Sequence, residues 1–297
     1  MRKRVAYAQN FLKNKGLIAS LIQMSSISSG DVVYDIGAGQ GIITEELLKK
    51  SRKVVAFEID KNLSNKLEQR YKSNKLVEII SGDFLSCSLP VYSYKVFSNI
   101  PFSISSAVIK KITHAKNPPD DAYIVVQKEV AKKFIGKPYA NRNSQIAILL
   151  KPWFELSVRY EFKRGDFFPK PNVDAVLLRV KKIDKPLIEE GKRDIYQDFV
   201  VYAFNQFCSN IVEGLINVFG EATLLKMSEQ LGFSHKSKPS ELDFKQWLGL
   251  FNYFSGNVKS KQKLVRGSYA RLIDQQGRLR KIHRTRTDKK WIASRLG

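Results

Sequence analysis

Cysteine, histidine and acid are scarce in this chain. Its 297 residues hold two cysteines, Cys87 and Cys208, with no CxxC pair and no Cys/His cluster, so neither a disulfide framework nor a zinc site is indicated and no metal is expected. The three histidines, His114, His235 and His283, lie outside every motif described below, which argues against histidine-based chemistry and marks them as surface residues. Long apolar runs are missing too. The basic start MRKR is followed by Gln9, Asn10, Lys13, Asn14 and Lys15, which interrupt any signal-like segment, and nothing later is long enough to span a bilayer. The expectation is a cytoplasmic protein with no membrane partner. The shortage of acid is the loudest of these deficits: 28 Asp+Glu against 51 Lys+Arg leave a net charge of +23, a field suited to a polyanion, nucleic acid before an anionic membrane.

What is present is apolar content of 43%, enough for a sizeable core and for one large domain with a smaller one beside it. From Asp31 to about Gln127, short β-branched runs alternate with amphipathic stretches. The runs are Val32–Ile36, Val54–Ile59, Val77–Ile80, Tyr94–Ile100 and Ala122–Gln127; the helical stretches are Ile42–Lys50, Leu63–Tyr71, Ser105–Thr113 and Lys128–Ile135. This alternation predicts a doubly wound parallel α/β sheet. Trp153–Phe162 and Ala175–Val180 then read as a hairpin added to one edge. Charge and proline in KKIDKP break the pattern, and from Lys192 to Phe254 the apolar spacing is helical. The expected division is therefore 1–182 for the sheet domain, 183–256 for a small all-α domain and 257–297 for a basic tail. That tail holds 13 Lys+Arg and two acids, +11 in all, and its spaced Tyr269, His283 and Trp291 suit a segment that orders on RNA.

Three local features point to a site. DIGAGQG (35–41) closes the first strand and opens a helix with glycines at 37, 39 and 41, which let the backbone turn tightly and approach a ligand. The spacing is GxGxG rather than GxGxxG, away from a nicotinamide dinucleotide and toward another nucleoside cofactor. Glu58 ends the second strand, 21 residues after Gly37, where a carboxylate can accept ribose hydroxyls, and Asp83 ends the third, where it can accept from an adenine amine. Strand-end acids also serve as turn residues or helix caps. SNIPF (98–102) sets an amide, a proline-stiffened backbone and an aromatic ring side by side. Asn-x-Pro is ordinary turn chemistry as well.

Taken together, AQNFL (8–12), DIGAGQG, FEID (57–60), GDF (82–84), NIPF (99–102) and FFPKPNVDAVLLRV (167–180) resemble the S-adenosylmethionine-dependent ribosomal RNA adenine N6-methyltransferases, over roughly residues 6–255. The Ile-Pro-Phe form and the early QNFL are most similar to the Erm enzymes of macrolide, lincosamide and streptogramin B resistance. The resemblance implies a seven-stranded class I, Rossmann-like methyltransferase fold with a small C-terminal helical domain. It also implies that Asn10 and Leu12 close over the cofactor, that Gly37 approaches its methionine part, that Glu58 binds its ribose and Asp83 its adenine, and that Asn99 bridges cofactor and target base. The long basic tail departs from the compact family pattern.

On this reading SNIPF has a chemical task. An adenine N6 amine is a poor nucleophile because its lone pair is delocalised; the Asn99 oxygen and the Ile100 carbonyl accept its two hydrogens and favour a tetrahedral nitrogen. Phe102 stacks on the base and Phe167 closes the other side, with neighbouring Phe168 a competitor for that role. The substrate expected is an unpaired or flipped-out adenine of 23S ribosomal RNA, met by a monomer. The alternatives are a small-subunit (16S) adenine dimethyltransferase, whose motif is usually Leu-Pro-Tyr, and a non-catalytic RNA-binding factor on the same fold. A nicotinamide dehydrogenase is disfavoured by glycine spacing and charge. A cytosine C5-methyltransferase needs a cysteine after proline, which Cys87 in FLSCSLP does not provide.

Overall fold

A computed structural model describes residues 10–278. In chain order the elements are β1 (Phe11–Leu12), α1 (Lys15–Gln23), β2 (Val32–Ile36), α2 (Ile42–Leu48), β3 (Lys53–Glu58), α3 (Lys61–Tyr71), β4 (Val77–Ser81), β5 (Lys95–Asn99), α4 (Ser105–Thr113), β6 (Asp121–Gln127), α5 (Lys128–Ile135), α6 (Gln145–Leu150), β7 (Phe154–Glu161), β8 (Phe167–Phe168) and β9 (Ala175–Lys182). The helices α7 (Arg193–Phe204), α8 (Ile211–Phe219), α9 (Glu221–Leu231), α10 (Phe244–Asn257), α11 (Gln262–Val265) and α12 (Ser268–Arg278) follow. No described helix is long and apolar enough to cross a membrane.

Seven strands form one sheet in the order β4-β3-β2-β5-β6-β9-β7. The first five are parallel, and the β7–β9 hairpin joins antiparallel through β9 to β6. This is the expected class I methyltransferase architecture. Strand alternation assigns the two faces: Tyr34, Ile36, Val55, Phe57, Ile124 and Val126 pack in one core, Val33, Val54, Tyr123 and Val125 in the other. Both faces are covered, so β2 is buried along all five residues.

The first core runs without a break into the helical region. Trp247, Leu250, Phe251 and Phe254 form an i, i+3, i+4, i+7 stripe on α10 that is fully buried, with Phe199 of α7 stacked on Phe254 at 4.7 Å. Asp243 caps α10 and Gln246 reciprocates in a capping box.

Two features differ from the sequence expectation. The ribbon of β1 and β8, antiparallel with Phe11 opposite Phe168 and Leu12 opposite Phe167, joins segments that no local pattern connects. The basic segment expected from 257 onward begins inside α10 and continues as α11 and α12 against α7. Val265 is fully buried, and Tyr269 lies parallel to His114 with ring centroids 6.1 Å apart. Asp198 of α7 accepts the Gly267 and Tyr269 N–H groups at 2.8 and 2.9 Å. Val258, Val265, Tyr269 and Leu272 pack against the core, and with the Asp198 cap they tie this segment to the body. His283 and Trp291 lie outside the described residues.

Candidate active site

The carboxyl edge of β2, β3, β4 and β5 carries the glycine loop, Glu58, Asp83 and NIPF. After β2 the chain turns through Gly37, Gly39 and Gly41 at φ of +74°, +58° and +80°, a left-handed path that costs other residues roughly 1–2 kcal/mol each. Gly37 and Ala38 both donate to the Phe57 carbonyl, at 2.8 and 3.0 Å, which ties the loop to β3. Arg70 of α3 donates to the Gln40 carbonyl at 2.9 Å. A Cβ on Gly39 would sit 2.8 Å from the Phe11 ring, so glycine there also lets the N-terminal ribbon close onto the loop.

Both acids bond local backbone N–H groups. Glu58, 1% exposed, accepts from Gly39 N–H at 2.7 Å with one oxygen and from Asp60 N–H at 2.8 Å with the other. Each oxygen keeps a lone-pair site for a ligand hydroxyl. The same contact puts negative charge on the glycine loop and occupies one of its N–H groups, an unfavourable place for a pyrophosphate. Asp60 caps α3 through Asn62 and Leu63. Asp83, exposed at the end of β4, caps the turn Phe84–Ser86 by accepting from Leu85 N–H with one oxygen.

Asp35 was not singled out by the sequence reading. It is wholly buried, and its Oδ2 accepts from Thr44 Oγ1 at 2.7 Å while Oδ1 has no partner among the described residues. Burial pushes its pKa up to about 7, against the Thr44 hydrogen bond and with the Glu58 charge adding to the rise. An acid inside an otherwise apolar strand, immediately before a glycine loop, was the available signal.

Asn99 ends β5, half-buried, and its Nδ2 donates to the Asn10 carbonyl at 2.8 Å. A carbonyl partner can face only the nitrogen of that amide, so Oδ1 is turned the other way, available as an acceptor. Asn10 in turn donates from its own Nδ2 to the Pro169 carbonyl at 2.7 Å. NIPF, the N-terminal segment and the FFP segment are thus stapled into one unit. A narrow slot lies between Asn10, Gly37, Asn99, Ile100 and Phe102. Beside it, sharing Phe11, Gly37 and Asn99, is a recess of about 350 Å³ that Leu12, Ala38 and Phe168 also line.

Phe167 does not meet its expectation here. It is 1% exposed and packs edge-to-face on Phe162 in the core, whereas Phe168 is 71% exposed and lines the recess. The reason is the ribbon pleat: Leu12 and Phe167 form the inward pair, Phe11 and Phe168 the outward one. Ile100 is buried, and it lines the slot together with Phe102, which is half-buried. A glycine backbone, a buried carboxylate with spare acceptor sites and apolar walls together suit a nucleoside cofactor.

Comparison with known proteins agrees with that geometry. The family model described as ribosomal RNA adenine dimethylase matches residues 1–255. A protein of Fusobacterium nucleatum called ribosomal RNA small subunit methyltransferase A is 30% identical over 256 residues, covering 84% of this chain and 97% of its own length. An rRNA adenine N-6-methyltransferase of Saccharopolyspora erythraea is 27% identical, covering 84% of this chain and 65% of its own. The crystal structure of the 23S rRNA methyltransferase ErmE superposes with a TM-score of 0.76 at 26% identity, over 83% of this chain and all of the other.

Proposed function

The chain belongs to the ribosomal RNA adenine dimethylase family, and from that premise we propose that it methylates N6 of one adenine in large-subunit (23S) ribosomal RNA, giving macrolide, lincosamide and streptogramin B resistance. It is an S-adenosylmethionine-dependent rRNA adenine methyltransferase, and its substrate is ribosomal RNA. The choice of the large subunit rests on the Ile-Pro-Phe form of the motif at 99–102, supported by the likeness to ErmE. A second reading, the small subunit, is favoured by the similarity to the Fusobacterium protein along nearly its whole length.

The cofactor supplies a methyl group activated on a sulfonium sulfur. The residues that would hold it are Gly37, whose φ of +74° favours glycine, Glu58 for ribose hydroxyls and Asp83 for an adenine amine, with Asn10 and Leu12 closing the N-terminal side. Asn99 Oδ1 and the Ile100 carbonyl accept the two hydrogens of the target amine, drawing it from planarity so that its lone pair is free to react. Asn10 acts behind Asn99 by fixing the amide's orientation. Phe102 stacks on the base and Phe168, rather than Phe167, supplies the second ring. These are positioning and fixed electrostatics rather than strong base catalysis. Residues 1–182 form the catalytic unit in this reading, and the helices after 183 hold RNA. The protein acts as a monomer in the cytoplasm.

Primer extension on ribosomal RNA from cells with and without the protein tests the assignment. A new stop in large-subunit RNA, with a raised macrolide tolerance, is expected. A stop near the end of small-subunit RNA selects the second reading, and no new stop in either RNA refutes both.

A further inference from the structure

Residues beyond 255 lie outside the family match, yet the described part of them is built into the body. Asp198 takes the first free N–H groups of α12, Val265 is buried without remainder, and Tyr269 covers His114. Between this added helix and the end of α7 runs a groove of about 500 Å³, lined by Tyr202, Asn205, Gln206 and Phe207 on one side and Arg271 and Gln275 on the other. It shares no lining residue with the slot or the recess described above.

Two properties of this groove stand out. Phe207, in the loop between α7 and α8, is 109% exposed, so its ring packs on nothing among the described residues. The segment 256–278 carries six Lys or Arg (Lys259, Lys261, Lys263, Arg266, Arg271, Arg278) against one acid, Asp274, which pairs with Arg278 at 2.8 Å. Lys259, Lys261, Lys263, Arg266 and Arg271 are exposed, and none of them has a carboxylate partner among the described residues. Among the described residues Arg271 bonds only the neutral Arg266 carbonyl and Ser268 hydroxyl and meets no carboxylate at the groove wall.

We propose that α11, α12 and the α7–α8 loop form a second RNA-binding surface, distinct from the methyl-transfer slot, in which Phe207 stacks on an unpaired base while the cations of this segment meet the backbone phosphates. A free aromatic ring, side-chain amides and Arg271 around one groove, with further exposed cations on the adjoining segment 259–266, are the combination that single-stranded RNA requires: a π face for a base, donors and acceptors for its edge, positive charge for the chain. The partner rests on the ribosomal RNA reading above. The surface anchors substrate; it takes no part in the chemistry.

The test uses the full-length protein and a labelled, unstructured RNA of about 12 nucleotides, with binding measured across a salt series. Phe207→Ala should weaken binding by about 5- to 150-fold, the loss of one base stack, and Phe207→Trp should restore it. The triple change Lys261→Ala, Lys263→Ala, Arg266→Ala should make the log–log salt slope shallower by about 2. Melting temperature and S-adenosylmethionine affinity should match the parent in every variant, since the altered side chains are exposed and remote from the cofactor residues. Parent-like RNA affinity and slope in both variants overturn the proposal. So does RNA binding indifferent to both changes while polyglutamate binding falls, because the surface then takes an acidic protein. If the parent fails to methylate ribosomal RNA yet oligomer binding depends on Phe207, the methyltransferase reading fails and the surface stands; methylating parent with indifferent variants gives the converse.

Discussion

Replacing Asn99 by alanine separates the two ends of one amide. The nitrogen end donates to the Asn10 carbonyl at 2.8 Å in a half-buried setting, so its loss should cost about 0.5–1.5 kcal/mol of stability. The oxygen end makes no bond among the described residues and, in the proposed mechanism, acts on the substrate, where loss of an acceptor that matters most in the transition state typically costs about 2.7–4 kcal/mol, or 10²–10³ in rate. The two effects are read separately. Urea unfolding should show a small fall in midpoint with unchanged slope, and single-turnover methylation at saturating RNA and cofactor should show the large one. Asn99→Asp is the informative companion, because it keeps an acceptor but sets a carboxylate oxygen against the Asn10 carbonyl, so it should fold less stably than Asn99→Ala while retaining more transfer. Near parent turnover in Asn99→Ala would refute the reasoning and return SNIPF to being a turn.

Glu58→Gln keeps the shape of the side chain but turns an NH₂ toward Gly39 or Asp60 N–H; cofactor affinity measured by calorimetry should fall by about 1.5–3 kcal/mol, and unchanged affinity would remove Glu58 from the site. The paired rings should separate cleanly. Phe167→Ala should lose about 3–5 kcal/mol of stability as a core truncation, whereas Phe168→Ala should melt like the parent and raise KM for RNA by the worth of a stack, about 1–3 kcal/mol; the opposite pattern would put Phe167 back at the base. Asp35 makes stability pH-dependent. Its carboxyl is protonated in both folded and unfolded chains below its ordinary value of 3.8, and only the unfolded chain ionises between there and about 7, so stability falls with rising pH by about 1.4 kcal/mol per unit, about 4 in total, and then levels. Asp35→Asn should therefore flatten the decline in Tm between about pH 4 and about pH 7, and an unaltered decline would show that this carboxyl ionises as usual when folded.

Much of the molecule is legible along the chain because its determinants are local. The short β-branched runs VVYDI and AYIVVQ predict strands, and the structure sorts their residues by parity onto the two faces of the sheet. The glycines at 37, 39 and 41 mark a turn whose three positive φ values only glycine adopts freely. Glu58 and Asp83 stand at successive strand ends, and parallel strands in register bring successive strand ends to one edge. Each of these inferences needs only the neighbours of a residue in sequence. The contacts that complete the site do not have that property. Asn99 owes its orientation to a carbonyl near the N-terminus, and that residue is held in turn by Pro169. Whether Phe167 or Phe168 faces the recess depends on which of them pairs with Leu12 and which with Phe11, a register that a one-residue slip would reverse. Nor does composition tell a solvated basic tail from a docked one. Residues 257–278 read as charge, but the free energy of docking lies in a few apolar side chains and one distant carboxylate, Asp198, whose availability as a cap is settled only when α7 is packed.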